Sequence, residues 1–528
     1  MIPRASSPIL TSGLSRRKLL QGAAGTGIGL AAGARIAPRR GFAQETPKQG
    51  GTYIFGTGQG FTTLDPHKPG LLNDQNAHAA LWNGLVKMNE NMEVLPSLAE
   101  SWENPDPLTY VFYLRQGVKF HNGREMTADD VVFTLDRIAD TATGSRWRSF
   151  ALPQYDHAEA VDPYTVKIVN KNPFPAQVSN LTKVKIIAKE NVDAIGGNPI
   201  GTGPFALKEF VQDDRVVLER FADYWDAANV YLDGITLKTV KDPTAIVQAL
   251  KTGGVDSIWQ ISTRDAGSVQ DDANLEIYTG AQHAVVQQLM IDNAQAPFND
   301  ARARKALSYA TDRDAINEVA FFGFFEAHWY DVPLPSSHPY FNPDITKAEY
   351  NLDKAKELFT AAGVTGDMKL TYQAISTTNP EWVVVGEILH QSLAEIGLTV
   401  EIEKLDLAAW VDVFVPAAEK QWPARIISNG NVGHADPSTF FNGFRNVPEN
   451  YNHYQLTAAQ DLMDQAAIAI DEEERKGLYY QAQQLMAEDP PCPFPYVQHG
   501  LYGKTKALKG FYAESDWVPH YENAWLDR

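Results

Sequence analysis

Apolar and polar side chains alternate along Thr109–Leu114 and again along Arg215–Arg220, the period of a strand with one buried face. Shorter apolar runs at residues 52–55, 235–240, 255–259, 398–402 and 424–427 predict further strands, each bounded by Gly, Asn or Pro turns. Elsewhere the period becomes helical. Val131, Val132, Leu135 and Ile138 form one stripe, and Thr127-x-x-Asp130 ahead of them has the form of a capping box. Asp242-Pro243 predicts another helix start, with Ile246, Val247, Ala249 and Leu250 as its buried face and Gly253-Gly254 as its stop. Residues 235–259 therefore read as a β-α-β unit whose right-handed crossover leaves a strand end at Trp259-Gln260. Past Phe298 helices predominate. They are expected at residues 301–310 under a cap at Asn299 or Asp300, after Thr311 with Asp314 as a second capping-box form, and at residues 352–362, 381–396, 457–469 and 472–486.

At 528 residues the chain is too long for one core and implies two or three domains, and 44% hydrophobic residues suffice to fill them. Charge is unevenly placed. The first 43 residues hold Arg4, Arg16, Arg17, Lys18, Arg35, Arg39 and Arg40 and no acid, so the rest is more acidic than the overall net charge of -19. Such a surface repels nucleic acid and anionic headgroups. Within the basic arm, Ser15-Arg16-Arg17-Lys18-Leu19-Leu20 precedes an uncharged, glycine-diluted run to Ala34 and then Gly41-Phe42-Ala43, a small-x-small pattern. The run is shorter than the roughly 20 apolar residues of a membrane span. It resembles a twin-arginine signal, which implies export through the twin-arginine machinery and cleavage near Ala43, with an ordinary secretory signal as the alternative. Cys492 is the only cysteine, which excludes an intramolecular disulfide and any multi-cysteine metal site. A buried structural thiol is expected there.

Enzyme chemistry is hard to find. No HExxH, Gly-x-Ser-x-Gly or Walker loop occurs, and His434, His453 and His499 are too scattered to predict a metal site. No cofactor is expected. The Gly-x-Gly-x-Gly run at residues 56–60 leads into Asp65-Pro66 instead of an amphipathic helix, so it is a weak nucleotide fingerprint. Three blocks, in contrast, share one resemblance: Leu114-Arg115-x-Gly117-Val118-Lys119-Phe120-His121-Asn122-Gly123 with Thr127-Ala128-Asp129-Asp130-Val131; Pro199-Ile200-Gly201-Thr202-Gly203-Pro204-Phe205; and Pro297-Phe298-Asn299-Asp300 followed by Arg302, Arg304, Ala306-Leu307-Ser308-Tyr309-Ala310 and Asp312-Arg313. Together they resemble the family 5 extracellular solute-binding proteins, the peptide-, nickel- and opine-type receptors of ABC importers. The resemblance implies an α/β, two-lobed periplasmic binding protein fold with an extra subdomain in the first lobe. Beyond a signal at residues 1–43, it divides the chain into a first-lobe core (44–94, 200–285 and 490–528), the extra subdomain (95–199) and a second lobe (286–489). A periplasmic, monomeric, non-enzymatic receptor follows, one that closes on a small-molecule or peptide ligand and delivers it to membrane permease subunits driven by their ATPases.

The expected cleft is lined by Gly60, Phe61 and Thr62, by Trp259 and Gln260, by Trp410, and by the glycine-rich loop carrying Asn429, His434 and Asp436. Similar peptide receptors hold the ligand's amino group with an aspartate three residues before an acid-proline pair. Here the pair is Asp436-Pro437 and the earlier position is Gly433. That departure admits an opine, sugar, modified peptide or metal chelate as alternative ligands. An exported hydrolase on the same scaffold is the rival class.

Overall fold

The computed structural model describes residues 46–528, apart from 69, 71, 281–284, 378, 415–422, 433–434, 446–451 and 515–516. The proposed signal at residues 1–43, His434 and Gly433 thus lie outside the described residues. From Pro47 onward the chain forms one unit.

Two sheets organise it. The first is seven-stranded, in the order Leu275–Thr279, Leu501–Thr505, Ser257–Trp259, Thr52–Thr57, Gly234–Thr239, Arg215–Arg220, Phe205–Val211. Thr52–Thr57 runs parallel to both Gly234–Thr239 and Ser257–Trp259, so the β-α-β unit spans it. Its helix, Pro243–Lys251, begins where the sequence places it: the Asp242 side chain accepts from Ala245 N at 2.7 Å and Pro243 occupies the first turn. The second sheet is six-stranded, in the order Glu326–Ala327, Tyr496–Gln498, Val285–Ile291, Arg425–Val432, Lys369–Ile375, Thr399–Leu405. The helix Pro380–Glu395 links the parallel pair Lys369–Ile375 and Thr399–Leu405. Each sheet has its own fully buried core, around Tyr53, Phe55 and Leu237 in the first lobe and around Leu289, Tyr372 and Ile426 in the second.

A four-stranded antiparallel sheet (Ala99–Asp106, Thr109–Leu114, Thr165–Asn170, Tyr155–Asp162) packs under the helix Ala128–Ala139 around a third buried core. Its signature residues are structural. Asp130 is fully buried, accepts from Thr127 N at 3.1 Å and receives a bidentate bond from Arg124 at 2.7 and 2.9 Å. Two details differ from the sequence reading. The cap after the helix Ala301–Tyr309 is Asp312, which accepts from Ala315 N, while the Thr311 hydroxyl bonds back to Leu307 O. The return to the first lobe comes after Gln498 and not at residue 490, because Tyr496–Gln498 pairs with Val285–Ile291 of the second sheet.

The chain therefore crosses between the sheets twice, between Thr279 and Val285 and between Gln498 and Leu501. The lobes also touch away from these crossings, where Ala435 of the second packs against Met88 and Met92 of the first.

Candidate functional site

A cavity of about 430 Å3 opens between the two lobes beside the crossings. Two strand-to-helix turns face it. In the first lobe the strand Ser257–Trp259 ends at Gln260, in the left-handed region (φ 54°), and the helix Thr263–Gln270 starts under Ser262, whose hydroxyl accepts from Asp265 N at 3.1 Å. In the second, Lys369–Ile375 ends and Pro380–Glu395 starts, so residues 379–382 form the opposite wall. Both turns follow the carboxyl end of a parallel strand, where open α/β sheets place their ligands. The positive end of each helix dipole lies at the cavity wall, which favours a negatively charged ligand group, although Pro380 carries no N–H and Trp382 N bonds Asn379 O at 3.0 Å.

Aromatic rings supply the apolar surface: Phe321, Phe325 and Trp382 from the second lobe and Trp517 from the first. Polar groups are mostly neutral. Gln287 Nε2 donates to Gln498 Oε1 at 2.8 Å, and the Trp517 indole N–H is buried with no protein partner. Among the described lining residues Glu381 is the one carboxylate, and no Lys or Arg is present. His499 also lines the cavity, 4.0 Å from Glu326, whose carboxyl is pushed up by burial.

Of the residues expected in the cleft, Gln260 lines this cavity. Trp259 lies one residue back, buried in the first-lobe core with its indole N–H donating to Trp517 O at 3.0 Å. Trp410, in the helix Leu407–Phe414, stands behind the wall with its ring 6.5 Å from that of Trp382. Asn429 precedes the wall residue Gly430, and strand alternation turns its side chain to the other face. Gly60, Phe61 and Thr62 are not brought there. Phe61 is fully buried, Thr62 bonds Asp74 through N (2.8 Å) and Oγ1 (2.6 Å), and Gly60 is backed by Asp213.

Asp436 is placed away from the cavity, 5% exposed, with both oxygens accepting from Arg475 at 2.7 and 2.8 Å. Burial pushes its carboxyl up, but the guanidinium outweighs this and holds it below the usual range. The other scattered histidine, His453, bonds Asp292 at 2.8 Å. Among the described residues no group of three or more His, Cys, Asp or Glu is arranged to hold a metal. Cys492 is fully buried, its Sγ 3.8 Å from Gln288 Oε1, and burial pushes the thiol up.

Sequence reasoning missed Glu381, Trp382 and Trp517. For the first two a signal existed, since Asn379-Pro380-Glu381 is a helix start directly after a strand. Trp517, beyond the second crossing, had none.

A family model of bacterial extracellular solute-binding proteins, family 5 (middle), matches residues 93–452. The chain belongs to this family. A glutathione-binding protein, GsiB, from Pectobacterium atrosepticum is 28% identical over 486 residues, 89% of this chain and 93% of the relative. Among solved structures, the periplasmic binding protein DppA of Helicobacter pylori in complex with the peptide STSA is 26% identical with a TM-score of 0.75, covering 91% of this chain and 99% of that one. The ABC transporter substrate-binding protein CtaP of Listeria monocytogenes is 25% identical with a TM-score of 0.82, covering 91% and 100%. These comparisons agree with the two-lobed architecture of this chain.

Proposed function

We propose that this protein is the extracytoplasmic binding component of an ABC importer and that it captures a short peptide or peptide-like solute between its lobes. The interlobe cavity carries this reading: about 430 Å3 is within the few hundred to one thousand Å3 typical of small-ligand sites and suits a di- or tripeptide. Glu381 is the acceptor for the ligand's amino group, in place of the anchor missing at Gly433. The ligand's carboxylate is directed to the turn at residues 260–263, where the helix Thr263–Gln270 starts in the first lobe. Similarity to a glutathione-binding protein and to a peptide-bound receptor supports this ligand class.

Mass spectrometry of material co-purifying with the mature protein, followed by calorimetry with glutathione and with di- and tripeptides, tests the reading. A peptide-like compound binding at micromolar or tighter affinity is expected, with Glu381→Gln weakening it by about tenfold through loss of a charge-assisted bond. An opine, sugar or metal chelate recovered in its place replaces the ligand class, and turnover of the bound compound would overturn the receptor reading. The arm at residues 1–43 is proposed to direct export by the twin-arginine route. Replacing Arg16 and Arg17 together with Lys is expected to retain the precursor in the cytoplasm, as fractionation and N-terminal sequencing would show.

A further inference from the structure

The strand Val285–Ile291 sets Gln287 and Gln288 on opposite faces of the second sheet. Gln288 turns inward, where its Oε1 lies 3.8 Å from Cys492 Sγ, and Gln287 turns to the interlobe cavity, which it lines. Gly430 stands directly across from Gln287 on the strand Arg425–Val432, and Gln498 stands across from Val285 on the strand Tyr496–Gln498. Residues 285 and 287 share a face, so the two glutamines are diagonal neighbours on the cavity floor. The Gln287 amide lies over Gly430, where a Cβ would come within 2.9 Å of Nε2.

The two side chains act as one unit. Gln287 Nε2 donates to Gln498 Oε1 at 2.8 Å, and among the described residues this is the one hydrogen bond that either side chain makes. Gln287 Oε1 and Gln498 Nε2 are left without a protein partner, and neither belongs to the polar atoms that are sealed from solvent without a bond. Gln287 is only 4% exposed, so a deeply held amide keeps its free end open to the cavity. Turning both amides over reverses the bond between them and still leaves one donor and one acceptor. Phe321, Phe325 and Trp382 give the same cavity its apolar surface, and no Lys or Arg is among its described lining residues. A ligand group that satisfies half of the pair leaves the other half unbonded beside these rings, which costs more than the bond made contributes.

We infer that this glutamine pair reads a neutral amide in the solute, whose C=O accepts from the free N–H of Gln498 and whose N–H donates to the free oxygen of Gln287. The inference rests on the peptide-like ligand class proposed above and narrows it. A carboxylate offers oxygens alone and meets the Gln287 oxygen with repulsion. An ammonium or a protonated secondary amine offers donors alone and leaves the Gln498 N–H unbonded. An ester keeps the carbonyl and loses the N–H. An amide supplies both groups, either in the peptide bond or in a side-chain carboxamide such as that of glutamine.

Calorimetry on the mature protein with synthetic tripeptides tests this. The probes are trialanine, its analogues in which an ester replaces one or the other peptide bond, and the pair Ala-Gln-Ala and Ala-Glu-Ala. Where the peptide bond is the group read, one ester analogue binds about tenfold more weakly than trialanine; where a carboxamide is read, Ala-Gln-Ala binds about tenfold more tightly than Ala-Glu-Ala. Gln287→Met and Gln498→Met, which keep the side-chain length and lack the amide, are each expected to bring that ratio close to unity. A general loss of folding would not do so, because the ratio compares ligands on the same protein. Glu381→Gln is expected to weaken trialanine and its esters alike and leave their ratio unchanged, which separates the amine anchor from the amide reader. Binding of no probe by the wild-type protein would overturn the peptide reading and this inference with it. Ester analogues and Ala-Glu-Ala that match their amide counterparts, or a ratio that survives in both methionine variants, would overturn the amide reader alone.

Discussion

Asp436 shows how a single partner decides what a carboxylate does. Its two bonds to Arg475 join the loop after Arg425–Val432 to the helix Glu472–Glu488. Asp436→Ala leaves a buried guanidinium uncompensated, and a loss of about 3–5 kcal/mol is expected. Thermal unfolding of the unliganded protein would show this as a lowered midpoint, whereas a ligand contact would leave that midpoint alone. Arg313 plays the same part in the family block Asp312-Arg313: fully buried, it donates to the carbonyls of Ser308, Thr311, Ala348 and His328 and to Asp331. At this scale residue types were legible and their partners were not. An acid before a proline in a glycine-rich turn has the look of a binding group, and nothing local reveals an arginine 39 residues on that claims both oxygens. Glu381, by contrast, looked like one acid among many until the fold set it on the cleft wall.

The blocks that carry the family resemblance are explained by how elements approach one another. Gly201 and Gly203 lie against the end of the helix Asp74–Leu81, where Gly203 N donates to Leu81 O at 3.0 Å, and a Cβ on Gly201 would overlap that carbonyl oxygen. Gly201→Ala is expected to cost about 1–3 kcal/mol or prevent accumulation of folded protein, read by chemical denaturation, because the obstacle is backbone and cannot rotate away. Helix starts were legible because caps are local chemistry: Asp242 and Asp300 both accept from N–H groups of the first turn. Strand partners were not, since pairing joins residues far apart. Tyr496–Gln498 looks from sequence like the beginning of the return to the first lobe, yet it completes the second sheet beside Val285–Ile291. The cleft consequently borrows its floor from a segment expected elsewhere.

For the whole molecule, acid is the sensitive direction. Burial lowers His67, His121 and His328 to about 4. In the unfolded chain these rings take protons near pH 6.5 that the folded protein refuses, so the stability they lend is complete above that pH and is lost as pH falls to about 4. Lowered carboxylates such as Asp436 and Glu522, the latter at about 2, extend the loss further into acid. His520 acts oppositely: Glu514 outweighs its burial and raises it, so its contribution is present in acid and fades as pH rises through its folded value. The lowered groups outnumber it, and a melting midpoint that drops steeply between pH 6.5 and 4 is expected by calorimetry. Two lobes and their class were legible from motif order along the chain; the depth at which these rings sit was not, because it depends on how three cores meet. Trp382 and Trp517 stand on opposite walls of the interlobe cavity, one on each lobe. Whatever enters displaces water from both indoles at once, so the intrinsic fluorescence of the unlabelled protein is an optical gauge of occupancy, ready for screening solutes before any of them has been named.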